Sequence, residues 1–563
     1  MLDAKHPLIK LLQTVCLALV GVLALGVATP IINAGDSVTY AALSQHMVQS
    51  GDWTRLVLDG ADWLDKPHFP FWVTAASFWL LGVNALAYVL PGLLFVLLGG
   101  WSTWRLAREL DGGPHADLVA WLALVIYLSV FQIMDNANGI KAEAYLLGCI
   151  MTATLHWWRL DQHGRLRDLV WGAFFAALAL MTKGLFTLVT IASGLVLVWM
   201  WQRRWSNFLH WRWWLVLLLT LVFSGPELWA LYVQFDAHPD QLVWGRTGVS
   251  GIRFFLWDSQ FGRFFNSGPI TNPGAASYFF VIVFLWAFLP WVGVAVMAVA
   301  REWRVFKRRT PAQRTVTVFL AGSFGVTFAL FSLSSFQLDY YTVIVYPFAA
   351  IFCARDLTER WLADPAWPGL HAVQLMMSAL LLALTLWCGI SVRWPLALAT
   401  LAGVGVMAML GARVVALPLR RVLVWPVLSV AVLYGFLTIT LTVTYREKSL
   451  AYNAALLLRH QPPAEVLVLA LDETTARELA LYTGWPTRSV TRVQDLPNAS
   501  GNACYLLVRA AQWPALAQQD WQALGQGRWV VHKTGTLPRL LQLARDDSLL
   551  EDIRLLRCAK ESG

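Results

Sequence analysis

Two acidic residues stand where a carboxylate could act as a general base near a membrane surface. Asp36 follows the apolar run that extends from residue 8 to about residue 29, and Glu143 opens another apolar run two residues after Lys141. A carboxylate next to apolar protein can have a perturbed pKa and take a proton from a substrate. Structural roles stay open beside this one, since Asp36 could cap a helix over residues 38–49 and Glu143 could pair with Lys141 or cap its own helix.

Basic residues with aromatic or apolar neighbours could bind an anionic phosphate. Lys66 lies in the run Trp63–Trp72, Arg263 lies in the run Trp257–Phe265, and Lys183 separates two short apolar runs. An ammonium group attracts a phosphate as a point charge, whereas a guanidinium group can bind it through two parallel hydrogen bonds. Each of these side chains could instead only anchor its segment at the membrane surface.

The composition of the whole chain is that of a membrane protein. Of its 563 residues, 58% are hydrophobic and 14% are charged, and the mean hydropathy is +0.55. A soluble protein has about 45–50% apolar and about 25% charged residues. The composition excludes a disordered, collagen-like, coiled-coil or small disulfide-stapled chain, and it disfavours a soluble enzyme. We therefore expect a polytopic α-helical membrane protein.

Apolar runs near the ~20-residue length that crosses a bilayer predict about thirteen spans. They cover residues 8–30, 84–106, 114–133, 140–158, 168–182, 184–202, 213–233, 276–300, 315–334, 340–357, 370–390, 394–411 and 423–443. The first is expected to be a span and not a cleaved signal peptide, because it is long and lacks a clear cleavage site. With a cytoplasmic N-terminus, 21 Lys and Arg residues face the cytoplasm and 8 face outward before the C-terminal tail. This bias supports the orientation, and it accounts for most of the formal charge of +9 without nucleic-acid binding.

The predicted spans divide the chain into a membrane domain, residues 1–444, and a C-terminal domain, residues 445–563. Two long segments lie on the outer side, which we call the first loop (residues 31–82) and the second loop (residues 234–275). Loops of this length are usually functional. A short apolar stretch near residues 69–81 predicts a re-entrant or interfacial helix within the first loop.

The C-terminal domain has the pattern of a small α/β fold. Residues 466–470 and 504–508 are predicted to be buried strands, residues 474–481 a helix between them, and residues 528–532 a further strand. Thirteen crossings place this domain on the outer side. Whether Cys504 and Cys558 pair there stays open, because sequence alone does not fix their distance.

The motifs of the first loop together resemble those of a known superfamily. They are Asp36-x3-Tyr40, Gly51-Asp52-Trp53 and Asp65-Lys66-Pro67-x2-Pro70-x-Trp72. Their order is similar to the first outer loop of the bacterial aminoarabinose-transferase and protein-mannosyltransferase superfamily, which are glycosyltransferases of the GT-C class. The same family order continues over about residues 8–444, through the acidic residue Glu143, Thr182-Lys183-Gly184, Arg263-Phe264, Leu289-Pro290-Trp291 and the run to Tyr341.

This resemblance implies a GT-C membrane fold and an enzyme that takes a sugar from a polyprenyl (undecaprenyl) phosphate. The acceptor would be a lipid or glycan at the periplasmic face of the bacterial inner membrane, and aminoarabinose transfer to lipid A is one candidate. Asp36 matches the acid that positions or deprotonates the acceptor, and Glu143 matches a second acid. The donor phosphate would be bound by Lys66, Arg263, Tyr341, Tyr40 and Lys183.

The chain departs from the usual family pattern at several positions. Ser37 stands where a Glu is common, Asp65 replaces a Glu, Gln337 replaces a Lys, and no His lies near Arg263. These departures leave the sugar and the acceptor open and put a divalent metal cofactor in doubt, although Asp65 and Asp258 could still supply oxygen ligands. An alternative function is a transporter or flippase for lipid-linked sugars, which would not explain acids confined to one face.

Overall fold

Most of the chain is helical in the computed structural model. It describes residues 7–28, 32, 36–137, 141–267, 269–272, 274, 276–363, 368–392, 420–496, 504–516, 521–531, 541–543 and 545–558. The helices of the first half are α1 Pro7–Ala28, α2 Asp36–Ser50, α3 Phe69–Leu81, α4 Ala85–Asp111, α5 Ala116–Leu128, α6 Phe131–Asn136, α7 Ala142–His163, α8 Leu166–Lys183, α9 Phe186–Trp201, α10 Trp211–Phe223, α11 Gly225–Leu231, α12 Gly251–Arg253 and α13 Ser259–Phe264.

The second half adds the remaining helices and the larger sheet. These helices are α14 Phe279–Ala287, α15 Val292–Val305, α16 Pro311–Leu333, α17 Tyr346–Ala363, α18 Pro368–Val392, α19 Trp425–Lys448, α20 Leu450–Leu458, α21 Glu473–Thr483 and α22 Trp513–Leu516. The strands are β1 Val57–Leu58 and β2 Ala61–Asp62 in the first loop, then β3 Glu465–Leu469, β4 Thr487–Val490, β5 Cys504–Arg509, β6 Trp521–Trp529 and β7 Glu551–Cys558.

Five described helices are long and apolar enough to cross a membrane, and two bent helix pairs could add two more. Three shorter apolar helices, Phe69–Leu81, Ala116–Leu128 and Phe186–Trp201, fall below that length. The predicted count of thirteen spans is therefore not confirmed by length and composition. The predicted span over residues 394–411 lies outside the described residues.

The span predicted over residues 276–300 is a bent pair and not one straight helix. Helices α14 and α15 meet at an angle of 114°. The break falls at Pro290, whose ring removes a backbone donor and disfavours helical backbone in the residue before it. Leu289 and Trp291 fix the break by bonding to neighbouring segments: Phe131 N donates to Leu289 O (3.0 Å), and Trp291 Nε1 donates to Ser129 Oγ (3.0 Å).

Helix α7 lies at the centre of the membrane domain, packed against α4, α8 and α9. Close packing of helices depends on small residues where two backbones meet. Gly194 of α9 faces α16, and a Cβ built on it would lie 2.7 Å from Phe319 O. Gly322 of α16 faces back towards Gly194, and a Cβ built on it would lie 3.1 Å from the Cα of Gly194. This contact sets the spacing of α9 and α16, which both line the site described below.

The first loop packs against the C-terminal domain. Helix α2 opens it, a two-stranded hairpin of β1 and β2 follows, and α3 closes it. Helix α3 matches the short apolar helix predicted at residues 69–81. Helix α2 packs on α21 of the C-terminal domain, so that the first loop and the C-terminal domain meet here.

The C-terminal domain is a five-stranded mixed sheet with strand order β4-β3-β5-β7-β6. Strand β3 pairs in parallel with β4 and β5, whereas β7 runs antiparallel to β5 and β6. Val466 and Val468 face α20 and α21, and Leu467 and Leu469 face the opposite core, as a strand buried on both faces requires. Cys504 is disulfide-bonded.

The glycine contact between α9 and α16 can be tested by adding one methyl group. Gly194→Ala places a Cβ against the α16 backbone, and overpacking of this kind costs about 1–3 kcal/mol. Gly325→Ala is the matched control, because a Cβ there meets nothing within 4 Å and Ala is favoured over Gly in helices by roughly 0.5–1 kcal/mol. We expect a lower melting temperature in detergent for Gly194→Ala and an equal or higher one for Gly325→Ala. Identical shifts would contradict the close approach.

Candidate functional site

Asp36 is the first residue of α2, and its side chain is partly exposed. Its Oδ2 accepts a hydrogen bond of 3.2 Å from the hydroxyl of Tyr340. Tyr340 belongs to the 3₁₀-helix Asp339–Val345, which lies between α16 and α17. The bond joins the first loop to a segment about 300 residues away, and it fixes one carboxylate oxygen while the side chain stays accessible.

Glu143 and Lys183 form a buried ion pair. Glu143 lies in the first turn of α7 and is 1% exposed, and Lys183 ends α8 and is 6% exposed. Their carboxylate and ammonium groups are in direct contact. Glu143 therefore pairs with Lys183 and not with Lys141, whose Nζ lies 3.9 Å from the ring centroid of Tyr340. Acid at a helix N-terminus and base at a C-terminus also suit the two helix dipoles.

Steric constraints explain why the motif Thr182-Lys183-Gly184 ends in glycine. Gly184 ends α8 with φ +101°, a backbone conformation that favours glycine. The side chain of Gln260 lies against it, and a Cβ on Gly184 would come 2.1 Å from Gln260 Nε2. The glycine therefore lets the second loop approach the end of α8 directly beside Lys183.

Two adjacent tyrosines, Tyr340 and Tyr341, connect Asp36 with Lys183. Tyr340 donates to Asp36, while the ring of Tyr341 lies 3.8 Å from Lys183 Nζ. The ammonium group also lies 5.6 Å from the centroid of the Tyr340 ring. Cation–π contacts of this kind are attractive, so the pair of rings holds Asp36 and Lys183 at a defined separation.

Asp65 lies between two cations from different loops. Lys66 Nζ is 2.7 Å from its Oδ2, and the guanidinium of Arg263 contacts its Oδ1 and donates to its backbone carbonyl at 3.0 Å. Burial raises the pKa of this carboxyl, but the charges of Lys66 and Arg263 outweigh burial and hold its pKa below the usual range. Asp65 therefore stays ionised and ties the first loop to the second.

A cavity of about 230 Å³ opens beside these groups. Its polar lining consists of Lys183, Ser259, Gln260, Arg263, Ser334 and Tyr341. Its apolar lining consists of Leu185, Phe186, Val189, Phe261, Phe264, Leu330, Phe331 and Phe336. The cavity thus combines two fixed cations with a surface of aromatic and aliphatic side chains.

Part of the hydrogen-bonding capacity of the two cations in this cavity is free. Arg263 Nε is buried and, among the described residues, has no hydrogen-bond partner. Lys183 carries three N–H groups, and Glu143 is the carboxylate that contacts it. A buried donor without an acceptor is costly. The arrangement can therefore accept an anion with oxygen acceptors at the polar end and an apolar chain along the rest.

Two of the predicted phosphate ligands lie outside this cavity. Lys66 lines a much smaller neighbouring space of about 10 Å³, together with Asp65, Lys183 and Arg263. Tyr40 is buried one turn after the start of α2, with its ring 4.8 Å from that of Phe71.

Tyr40 nevertheless belongs to the electrostatic environment of the site. Burial raises the pKa of its hydroxyl well above the usual value, and the charges of Asp36, Glu143 and Asp65 add to this shift. Its hydroxyl therefore stays protonated at neutral pH and can act only as a neutral donor or acceptor.

The two candidate metal ligands do not form a metal site. Asp65 is held by Lys66 and Arg263, and Asp258 lies 3.4 Å from Arg253. Over the part of the chain that is described, no group of three or more His, Cys, Asp or Glu side chains could hold a metal ion. Carboxylates that are already neutralised by cations do not fit a divalent metal ion, and this applies to both Asp65 and Asp258.

A buried pair behind Lys66 was missed from the sequence. His68 and Glu227 are both fully buried, with His68 Nδ1 3.0 Å from Glu227 Oε1 and His68 N donating to Glu227 Oε2 at 2.8 Å. His68 Nε2 faces Thr54 O at 3.2 Å, so this nitrogen must carry a proton. One further proton then lies between Nδ1 and Oε1, and the pair as a whole is neutral. Position 68 is an open position of the motif Asp65-Lys66-Pro67-x2-Pro70, so the motif carried no signal for this pair.

Known proteins resemble this chain in sequence and in fold. A family described as dolichyl-phosphate-mannose-protein mannosyltransferase matches residues 65–229. The undecaprenyl phosphate-alpha-4-amino-4-deoxy-L-arabinose arabinosyl transferase of Edwardsiella ictaluri is 26% identical over 324 residues, which is 57% of this chain and 54% of that protein. The protein of the same name from Pseudomonas aeruginosa is 25% identical over 338 residues, covering 59% of this chain and 57% of that protein. The chain spans about half the length of the curated relatives that it matches.

Solved structures give the fold. The crystal structure of ArnT from Cupriavidus metallidurans bound to undecaprenyl phosphate superposes with a TM-score of 0.69 at 17% identity, covering 98% of each chain. The apo structure gives 0.68 with the same coverage. The predicted fold class, a GT-C membrane fold with a small C-terminal sheet domain, is confirmed, and so is the resemblance to the aminoarabinose-transferase and protein-mannosyltransferase superfamily. The chain is a multi-pass membrane protein.

The buried pair of His68 and Glu227 predicts a large loss of stability on truncation. Glu227→Ala leaves the His68 ring and backbone N–H without their acceptor, and breaking a buried pair costs about 3–5 kcal/mol. Arg253→Ala is the control, because it removes an exposed ion pair of the second loop worth roughly 0–1 kcal/mol. Thermal unfolding in detergent should separate the two variants clearly. Equally small shifts would show that the pair does not hold the first loop against helix α11.

Proposed function

We propose that the protein is a membrane glycosyltransferase that transfers a sugar from a polyprenyl phosphate, such as undecaprenyl phosphate, to an acceptor at the periplasmic face of the bacterial inner membrane. The observation that carries this proposal is the 230 Å³ cavity, in which Lys183, Arg263 and Tyr341 adjoin an otherwise mostly apolar lining. A phosphate at the end of a hydrocarbon chain has the same distribution of charge and apolar surface. Residues 1–444 would form the catalytic membrane domain and residues 445–563 a periplasmic domain.

The comparisons and the charge bias support the donor class and the orientation. The relatives are named for an undecaprenyl phosphate-linked aminoarabinose, and the solved neighbour holds undecaprenyl phosphate. The excess of Lys and Arg on one side supports a cytoplasmic N-terminus. We propose an envelope lipid or glycan as acceptor, with lipid A as one candidate.

In the proposed reaction, an acceptor hydroxyl attacks the anomeric carbon of the sugar while the bond from that carbon to the phosphate oxygen breaks. Asp36 takes the hydroxyl proton, and the polyprenyl phosphate leaves with the bonding electron pair. Direct displacement of this kind inverts the anomeric configuration. Asp36 suits the role of base because its side chain is partly exposed, whereas Glu143 is buried and paired with Lys183; we propose that this second acid orients Lys183.

Arg263 and Lys183 would stabilise the charge that develops on the phosphate. Donors that already point at the leaving group need no reorganisation as the reaction proceeds. The free Arg263 Nε and the remaining N–H groups of Lys183 are donors of this kind. We propose that Tyr341 orients Lys183 through its ring. Lys66 would act on the phosphate through its charge rather than by contact in this cavity, whereas Tyr40 would contribute only as a neutral hydrogen-bonding group.

Asp36→Asn tests the proposed function directly. If Asp36 only began a helix, Asn would serve nearly as well, and it can still accept the Tyr340 hydrogen bond. Loss of a general base costs about 10²–10⁴-fold in rate. The assay uses purified protein in nanodiscs, labelled polyprenyl phosphate sugars and an envelope extract, with mass spectrometry of the acceptor.

We expect sugar transfer by the wild type, near-complete loss in Asp36→Asn, and donor binding retained in both. An Asp36→Asn variant with wild-type transfer would return Asp36 to a capping role. When the protein is reconstituted in sealed vesicles, movement of the intact donor across the bilayer without any glycosylated product would instead favour a flippase.

The loss of affinity for the donor should depend on where the substituted cation lies relative to the cavity. Arg263→Ala should weaken binding of polyprenyl phosphate by about 1.5–3 kcal/mol, the contribution of a hydrogen bond to a charged group. Lys66→Ala should weaken it less, because Lys66 lies outside the larger cavity. Arg253→Ala, an exposed Arg of the second loop, should leave it unchanged. Titration calorimetry in detergent measures all three, and equal affinities for Arg263→Ala and wild type would remove Arg263 from the site.

A further inference from the structure

Helix α21 of the C-terminal domain contacts the first loop at separate points. Gln45 Nε2 of α2 donates to Ala480 O at 3.2 Å, and Gln45 is 5% exposed. Arg477 of α21 forms an ion pair with Asp59 in the turn between β1 and β2. These contacts attach both the helix that begins with Asp36 and the hairpin that precedes Asp65 to the C-terminal domain.

A third contact lies four residues before Asp36. Tyr482 Oη of α21 is 3.4 Å from Ile32 N and 3.3 Å from Ile32 O. Tyr445, near the end of α19, has its Oη 3.4 Å from the same carbonyl oxygen and 3.1 Å from Glu478 Oε2. Ile32 is 2% exposed. The Tyr482 hydroxyl accepts from the buried Ile32 N–H and donates to Ile32 O. The single proton of the Tyr445 hydroxyl is shared between Ile32 O and Glu478 Oε2. Both tyrosines lie more than 400 residues further along the chain.

This arrangement matters because the proposed chemistry needs Asp36 at a fixed distance from the donor. The first loop is long, and ordering a backbone residue costs roughly 1–2 kcal/mol in conformational entropy. Supporting contacts must hold a reacting group within about 0.5 Å, and a misplacement of ~1 Å can cost about 10²-fold in rate. The contact of Asp36 with Tyr340 is a single hydrogen bond at one carboxylate oxygen. The backbone before Asp36 needs support of its own.

We infer that α21 is a positioning element of the active site: Tyr482 and Tyr445, acting through the backbone of Ile32, hold Asp36 where it can take a proton from the acceptor. The inference rests on the proposed function, in which Asp36 is the base. Both tyrosines are positioning residues. The donor cavity is lined by α8, α9, α13, α16 and Tyr341, so the tyrosines should act on the rate of transfer and not on donor binding.

The test combines kinetics with hydrogen–deuterium exchange on the full-length protein in nanodiscs. The double variant Tyr445→Phe/Tyr482→Phe removes both hydroxyls and keeps both rings. We expect kcat to fall by about 10- to 100-fold, an unchanged KM for the donor, and faster exchange over residues 36–50. Tyr482→Phe alone leaves the Tyr445 contact in place and should give a smaller change in the same direction. The single variant serves if the double one does not fold.

Tyr505→Phe is the matched control. Its hydroxyl donates to Pro462 O (2.9 Å) inside the C-terminal domain, so it removes a hydrogen bond from that domain without touching the first loop. Its kcat and the exchange of residues 36–50 should equal those of the wild type. A wild-type kcat and wild-type exchange in the double variant would overturn the inference, and so would an equal loss in Tyr505→Phe.

The two readouts separate this inference from the proposed function. If the wild type transfers no sugar, the proposed function fails. Faster exchange over residues 36–50 in the double variant alone would then still support the role of α21 in holding the start of α2. Unchanged exchange in that case would overturn both.

Discussion

Lys183 carries a positive charge in a part of the protein that is almost closed to water, and Glu143 makes this tolerable. Removing an ammonium or carboxylate group from water costs several kcal/mol unless a partner of opposite charge lies nearby. The Glu143–Lys183 pair therefore fixes the start of α7 against the end of α8. Asp65 plays the corresponding part between the loops, because it neutralises cations from both. The architecture around the cavity follows from this need to pair charges.

If the ion pairs used every N–H group of Lys183 and Arg263, neither side chain could bind a ligand. Over the part of the chain that the structure describes, the contacts of the two cations leave some of these N–H groups free. Asp65 contacts a terminal nitrogen of Arg263, which leaves Nε free among the described contacts. Tyr341 approaches Lys183 with its ring face, which stabilises the charge without using an N–H group. The neighbouring Tyr340 presents its hydroxyl to Asp36 instead. The dipeptide Tyr340-Tyr341 thus places an aromatic face against Lys183 and a hydrogen-bond donor on Asp36.

The charged residues of the site could be identified well from the sequence, because charged side chains are energetically costly near a membrane. Asp36, Glu143, Lys183 and Arg263 stand out because charges are rare in such apolar surroundings. The structure places Lys183 and Arg263 in one cavity, and Glu143 contacts Lys183. The partners could not be predicted, since Glu143 had Lys141 two residues away and pairs with Lys183 forty residues away. The contact between Tyr340 and Asp36 depends on a 3₁₀-helix with no clear sequence signal. The role of each residue in catalysis stays a prediction.

The charges of the site suit the proposed transfer in one further respect. The cluster of Lys66, Arg263 and Lys183 with Asp65 and Glu143 carries one net positive charge, which matches the single negative charge of a phosphodiester donor. Asp36 adds one negative charge beside this cluster. When the sugar leaves, the carrier becomes a phosphate monoester and gains a second negative charge. At the same step Asp36 would take the proton of the acceptor and lose its own negative charge. Because a change of net charge is costly where the dielectric constant is low, a base close to the cation cluster keeps the total charge of the site constant. Asp36 meets this condition, because Tyr340 and Tyr341 connect it to Lys183.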